Sequence, residues 1–361
     1  MEYIMKYYTT DRIKQENAYW NVIFGGRSNG KSTAVCKDLI DGYKENGDQF
    51  GRVLRYITDC RDNEMLNWFG SDYLRNYVAE KWNEAIGFDA GKWYFYPLDA
   101  DPRERKTPKQ PFGQVFILNS EYRYKSAQYD FINKLVCEEF VLLNPADYIP
   151  YEFEHFLSLV STVNRHRTNL TIWLVGNTLN KSNPYFNGLG INIDKLKIYP
   201  GQIRTLRNRF GVKFAVEYAE LSYTSNDEIP PVLKIDGNEI AFEDGFTSDP
   251  NVYTPPLMAK LMMRSNPVYA ATLLYKQNEC NLYKINLTKK QVGWAALRDW
   301  QPYGRPEKDK VLIRLDNRLI DINRDCGATI DYLKEIGFDY RLCVYDNEEI
   351  KFNLVSAIRN Y

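Results

Sequence analysis

Trp20-Asn-Val-Ile-Phe-Gly-Gly-Arg-Ser-Asn-Gly-Lys-Ser-Thr33 decides the reading of this chain. Val22, Ile23 and Phe24 make a short apolar run of the kind a buried strand uses. Gly25, four residues, Gly30, Lys31 and Ser32 then complete the spacing of a phosphate-binding loop, G-x-x-x-x-G-K-[ST]. Gly25 and Gly30 are expected to let the backbone curl so that successive N–H groups face one anion. A helix starting near Lys31 adds the positive end of its dipole. Lys31 is expected to reach the β- and γ-phosphates, and Ser32 to ligate Mg²⁺. The whole cradle is Gly25, Gly26, Arg27, Ser28, Asn29, Gly30, Lys31, Ser32 and Thr33. Ala34, Val35, Leu39 and Ile40 follow at helical spacing, an order of strand, loop and helix that a chance glycine turn does not require.

The 361 residues leave room for two domains. A composition 44% hydrophobic and 26% charged is that of a soluble globular protein. No apolar run is long enough for a membrane span, and Met1-Glu-Tyr-Ile-Met-Lys-Tyr-Tyr8 does not read as a signal peptide. The six cysteines (36, 60, 137, 280, 326 and 343) form no C-x-x-C pair, which predicts reduced thiols in a cytosolic protein. Two histidines, His155 and His166, argue against a histidine-built metal site. Lys plus Arg equals Asp plus Glu, 47 each, so any nucleic-acid contact must come from local patches or from assembly.

Outward from the loop, residues 1–19 read as an arm near the nucleotide base and 52–58 as a second strand. Residues 64–86 read as a helix, because Met65, Trp68, Phe69, Tyr73, Leu74, Tyr77 and Val78 fall close to helical spacing. Residues 93–96 and 115–118 read as strands around a loop, 99–111, that carries Arg103, Arg105, Lys106 and Lys109 and either is solvated or faces an anion. Leu135-Val-Cys137 reads as a strand beside the loop, ending in Glu138 and Glu139. In nucleotide hydrolases the first such acid holds the Mg²⁺ water shell and the second polarises the attacking water. Glu138 stands where Asp is usual; an acidic helix cap is the structural alternative. A helix over 153–163, then a buried strand over 170–175 closed by Asn177, completes the pattern, with Asn177 placed to sense the γ-phosphate. The alternation predicts an α/β nucleotide-binding domain over 1–205, a linker or lid over 206–246, and a smaller C-terminal α/β domain over 247–361.

Gly-Gly-Arg-Ser-Asn-Gly-Lys-Ser32, Leu54-Arg-Tyr56, Glu138-Glu-Phe140, Thr162-Val-Asn-Arg-His-Arg167, and Gly176-Asn-Thr178 followed by Asn183-Pro-Tyr-Phe186 come in a particular order. Over roughly residues 15–190 the chain resembles the DNA-packaging ATPases of small short-tailed phages with protein-primed genomes. The resemblance implies a RecA-like, additive-strand P-loop ATPase that uses ATP and Mg²⁺. It implies a ring, most often a pentamer, in the host cytoplasm, docked transiently on the portal of a procapsid and driving double-stranded DNA inward. It assigns Lys31 and Ser32 to phosphate and metal, Glu138 and Glu139 to the acid pair, and Arg165 to the neighbouring subunit's nucleotide. Arg167 is the second trans candidate and Lys125 a third. Arg165 and Arg167 also suit a plain helix end, where the dipole favours cations. The resemblance further implies a C-terminal ribonuclease-H-type domain without nuclease chemistry. Asp299, Asp309, Asp316, Asp321, Asp325 and Asp331 give no strand-borne set of carboxylates for two metals. A basic lean over 284–318 suits a solvated face, or a contact with portal, DNA or a structural RNA. A terminase with a live nuclease, a non-motor P-loop enzyme and a scaffold with a degenerate ATP site are the alternatives.

Overall fold

The computed structural model describes residues 8–27, 29–100, 106–144, 147–178 and 180–220, and parts of 261–355. The described residues form two compact units. The first takes those of 1–141, 151–179 and 188–246, and the second those of 142–150, 180–187 and 247–361.

The first unit is built on a nine-stranded sheet. In chain order its strands are β1 (Trp20–Gly25), β2 (Gln49–Leu54), β3 (Glu84–Asp89), β4 (Lys92–Pro97), β5 (Gly113–Ile117), β6 (Ile132–Glu138), β7 (Thr171–Asn177), β8 (Gln202–Arg207) and β9 (Lys213–Tyr218). They lie in the order β3-β4-β5-β2-β6-β7-β1-β9-β8. From β5 to β9 every neighbouring pair is parallel. Antiparallel pairings finish both edges. The middle strands are the most buried: β1 and β9 bury five of six residues each and β7 five of seven, as a sheet covered on both faces demands.

Helices α1 (Asp11–Gln15), α2 (Lys31–Asn46), α3 (Asp62–Asn67) and α4 (Asp72–Trp82) share one core with Ile23, Val136, Trp173 and Ala215. On the opposite face, α5 (Glu152–Asn164) sets Phe156 6.1 Å from the ring of Trp20. Asp38 of α2 is buried between Lys14 and Lys134, which ties α1 and β6 to the helix behind the phosphate loop.

Several expectations need correction. The acid-bearing strand β6 is not the direct neighbour of β1, because β7 lies between them. The helix read over 64–86 is two helices and the start of β3. Gly70 closes a turn on Asn67, Ser71 caps α4 by accepting the Leu74 N–H at 3.3 Å, and Asn83 ends it at φ 55. The second strand starts earlier and ends at Leu54, with a tight 3₁₀ turn over Ile57–Asp59. The sheet runs on to Tyr218, so a boundary at 205 falls inside β8. Asn183-Pro-Tyr-Phe186 opens a helix, α6 (Pro184–Leu189), with Asn183 Oδ1 accepting the Phe186 N–H at 2.9 Å. A further short helix, α7 (Ile193–Leu196), leads to β8.

The second unit holds a five-stranded sheet of β10 (Val268–Tyr275), β11 (Asn278–Asn286), β12 (Val292–Leu297), β13 (Leu312–Arg314) and β14 (Cys343–Tyr345), in the order β13-β10-β11-β12-β14. β12 was not legible in the sequence. β10, β11 and β12 form an antiparallel meander, and β13 and β14 add parallel edges. Ala271, Leu273, Trp294 and Tyr345 pack in its core. The six aspartates weighed for a nuclease, and Lys289, Lys290, Arg298, Arg305, Lys308, Lys310 and Arg318, lie outside the described residues, as do Arg103 and Arg105. Among the described residues no helix is long and apolar enough to cross a membrane.

Candidate active site

All the parallel strands run the same way, so their last residues share one end of the sheet. β1 ends in the phosphate loop there, and β7 brings Asn177 directly opposite Gly25. β6 ends with Glu138, which pairs in register with Val175, two residues before Asn177. One sheet end thus gathers the loop, the acids and the polar residue, as open α/β sheets place their ligands beyond the strand ends.

Gly30 is left-handed at φ 85, a conformation that favours glycine, and α2 starts at the next residue. Gly25 is needed for a different reason. A Cβ there would stand 3.0 Å from the Cβ of Ala219, whose N–H bonds the Phe24 carbonyl at 2.8 Å. Lys31 is buried, and its ammonium lies on the loop's own oxygens, the carbonyls of Gly25 and Gly26 and, at 2.9 Å, Asn29 Oδ1. Asn29 in turn donates to the Glu220 carbonyl at 3.3 Å and accepts the Tyr8 N–H on its own carbonyl at 3.0 Å. Ser32 is exposed and Thr33 half-buried at the start of α2. Arg27 is exposed, and Ser28 lies outside the described residues.

The two acids differ in setting. Glu138 is held by Arg52 of β2 at 3.3 Å, and that guanidinium lies 4.2 Å from the ring centre of Trp68. Its other oxygen, Oε1, is buried and has no hydrogen-bond partner among the described residues. An orphaned carboxylate oxygen at this place fits a group that takes part in a Mg²⁺ water shell. Glu139 is exposed and left-handed at φ 53. Phe140 explains the flip: it is fully buried, and a Cβ on Gly176 would meet its ring at 2.9 Å. Anchored on both sides, the chain turns Glu139 outward at a conformational cost of order 1 kcal/mol or more.

Arg165 and Arg167 are not at this end, for they lie past the C-terminal end of α5. Arg165 follows α5 at φ 37, is exposed, and donates to the Lys125 carbonyl. Lys125 is exposed too, with its ammonium 3.8 Å from Glu121. Arg167 is spent within its own chain. It donates to the carbonyls of Asp130, Ile132, Val163 and Asn164 and to Asn133 Oδ1, stapling the end of α5 to the start of β6. Burial pulls its pKa below the ordinary arginine value. These bonds give Arg167 a structural task within its own chain. Arg167 is bonded to the start of β6, about 20 Å from Glu138 at its end at the usual strand rise, and Arg165 lies two residues before Arg167.

Three contacts at the site end were not legible, because they join residues far apart in sequence. Arg52 meets Glu138. Arg55 forks onto the buried Glu152 at 2.8 and 3.0 Å. Tyr8 donates its hydroxyl to the buried Glu217 at 2.6 Å. Burial raises the Glu217 pKa, while the Tyr8 bond and Arg12 oppose the rise.

Residues 3–200 match the Podovirus DNA encapsidation protein (Gp16) family, more than half of the chain. The chain belongs to that family. Among similar proteins, a DNA packaging protein of Bacillus phage B103 is 26% identical over 172 residues, 47% of this chain and 48% of that one. The DNA packaging protein of Bacillus phage phi29 is 25% identical over 181 residues, 50% and 49%. The chain thus matches about half the length of these relatives. The fold is shared over nearly the full length with two solved structures. The phi-28 Gp11 DNA packaging motor gives a TM-score of 0.59 at 14% identity, covering 99% of this chain and 98% of that chain. The phage phi29 genome packaging motor assembly gives 0.57 at 17%, covering 98% and 99%.

Proposed function

We propose that this protein is an ATPase that drives double-stranded viral DNA into a procapsid, acting as a ring of identical copies, five in the simplest case, on the portal. The observation that carries the reading is the split of the machinery between the two ends of one sheet. Loop and acids stand at one end and Arg165 at the other, an arrangement that suits a site completed by a second chain.

Each residue then has a task. The loop N–H groups, the α2 terminus and Lys31 bind the triphosphate. Ser32 and Glu138 would hold Mg²⁺, which supplies neutralisation of phosphate charge when bound. Glu139, already turned outward, takes a proton from the attacking water. Asn177 orients the γ-phosphate. Arg165 of the adjoining copy meets the charge that develops on transfer, an effect of about 10³–10⁵ in rate. Lys125, held beside Arg165 through its carbonyl, adds a second positive charge to that face. Family membership and the shared fold support the packaging task. The second unit is read as a ribonuclease-H-type domain that does not cut DNA; Mg²⁺-dependent nicking of plasmid by the purified protein would overturn that.

ATP turnover by the purified chain, alone and with empty procapsids and linear duplex DNA, tests the reading. Turnover should rise several-fold only when both are present. A rate indifferent to both would place the protein among stand-alone nucleotide hydrolases.

A further inference from the structure

Basic and acidic residues balance over the whole chain, yet residues 195–216 carry six Lys or Arg and no Asp or Glu. Most of this stretch folds into the β8–β9 hairpin at the edge of the first unit's sheet. The hairpin tip is fixed from within. Asn208 Oδ1 accepts the N–H groups of Phe210 and Val212, each at 3.0 Å, and the Asn208 N–H reaches the Val212 carbonyl at 3.2 Å. Gly211 takes the left-handed position at φ +79, as a three-residue hairpin loop requires. The turn presents Phe210, 75% exposed, with the Arg209 guanidinium 4.7 Å from its ring centre. Arg204 and Arg207 are exposed along the edge strand, and Arg207 braces the tip by donating to the Gly211 carbonyl at 2.8 Å.

Arginines on an edge strand guard it against pairing with other strands. That role does not account for an exposed phenylalanine on a rigid turn. A cation stacked on a ring, beside two further guanidiniums, suits a polyanion that also offers flat or apolar surface. We propose that this hairpin is a contact for the phosphate backbone of duplex DNA, with Arg204, Arg207 and Arg209 on phosphates and Phe210 against the sugar wall of a groove. Such a contact reads no bases, as moving DNA of any sequence demands. The proposal takes its polyanion from the packaging reading and nothing from the ATP chemistry. Lys213 is excluded, since Glu16 holds it at 3.0 Å. The tip lies at the strand-start end of the sheet, as Arg165 does, so a neighbouring copy is the competing occupant.

The test is binding of the full chain to random-sequence duplex DNA, without nucleotide, across a salt series. Arg204→Gln with Arg209→Gln is the variant of choice, because neither guanidinium is seen to bond the hairpin main chain; Phe210→Ser is the second. The double variant should bind about tenfold more weakly at low salt, with a log–log salt slope shallower by about two, and should melt as the parent does. Phe210→Ser should weaken binding with the slope unchanged. Unaltered affinity and slope in the double variant would overturn the proposal. So would a loss confined to duplex RNA, or a loss of self-association with DNA affinity intact. Because binding is read without ATP, failure here leaves the ATPase reading standing, and failed turnover leaves this contact standing.

Discussion

Glu139 holds a left-handed backbone without being glycine, next to a carboxylate already paired with arginine. On the proposed reading Glu139 is the base and Glu138 the metal-side acid, and the prediction for the base is distinct. Glu139→Gln should keep ATP binding and lower turnover by about 10²–10³, within the usual range for a general base; binding measured by calorimetry and turnover measured separately check this. Lys31→Ala should lose binding as well. Glu217 gives a test by pH. Its carboxyl is lifted by burial, so the native state binds that proton more tightly than the unfolded state does. The resulting stability is complete below the ordinary glutamate pKa of about 4.3 and is lost as the pH climbs through the raised folded value. Glu217→Gln should keep the Tyr8 hydrogen bond, melt higher than the parent at pH 7, and lose that advantage on acidification. An equal advantage at every pH would mean the charge is not the cause.

At the scale of elements, the end of α5 carries two arginines with opposite fates. Arg167→Ala strips carbonyls of α5 and β6 of a shared donor and should lower stability by about 3 kcal/mol, visible in urea melts. Arg165→Ala should leave those melts unchanged. The sequence spacing could not separate the two, because a helix end suits either one. Elsewhere the legible elements were those with one dominant period: β1, α2, β6, α5 and β7 stand where their apolar runs place them. The helix read over 64–86 failed where Trp68, Phe69, Tyr73 and Tyr77 kept a helical rhythm across a break. Trp68 and Phe69 lie in the turn after α3 and Tyr77 packs from α4, and Gly70-Ser71 and Asn83 carried the stop signals. The hairpin turn and β9 fell inside the stretch read as linker, 206–246, although β9 buries five of six residues.

For the whole molecule, the order of strands separates the phosphate loop from Arg165 within one chain. Parallel strands put every strand end on one side, so a residue at the start of β7 or β6 is carried away from the loop in its own chain. The placement of the loop, Glu138 and Asn177 was readable because each stands at the end of a buried strand. The pairs Arg52–Glu138, Arg55–Glu152 and Tyr8–Glu217 were not, since only folding brings their partners together. The central claim, that one chain completes the catalytic site of the next, is tested most directly by mixing two dead variants. Arg165→Ala chains and Lys31→Ala chains should each be inactive with procapsids and DNA. Assembled together, they should recover a fraction of ATP turnover, from sites where an intact loop meets an intact Arg165. A mixture as inactive as its parts, with mixed rings verified, would contradict the account.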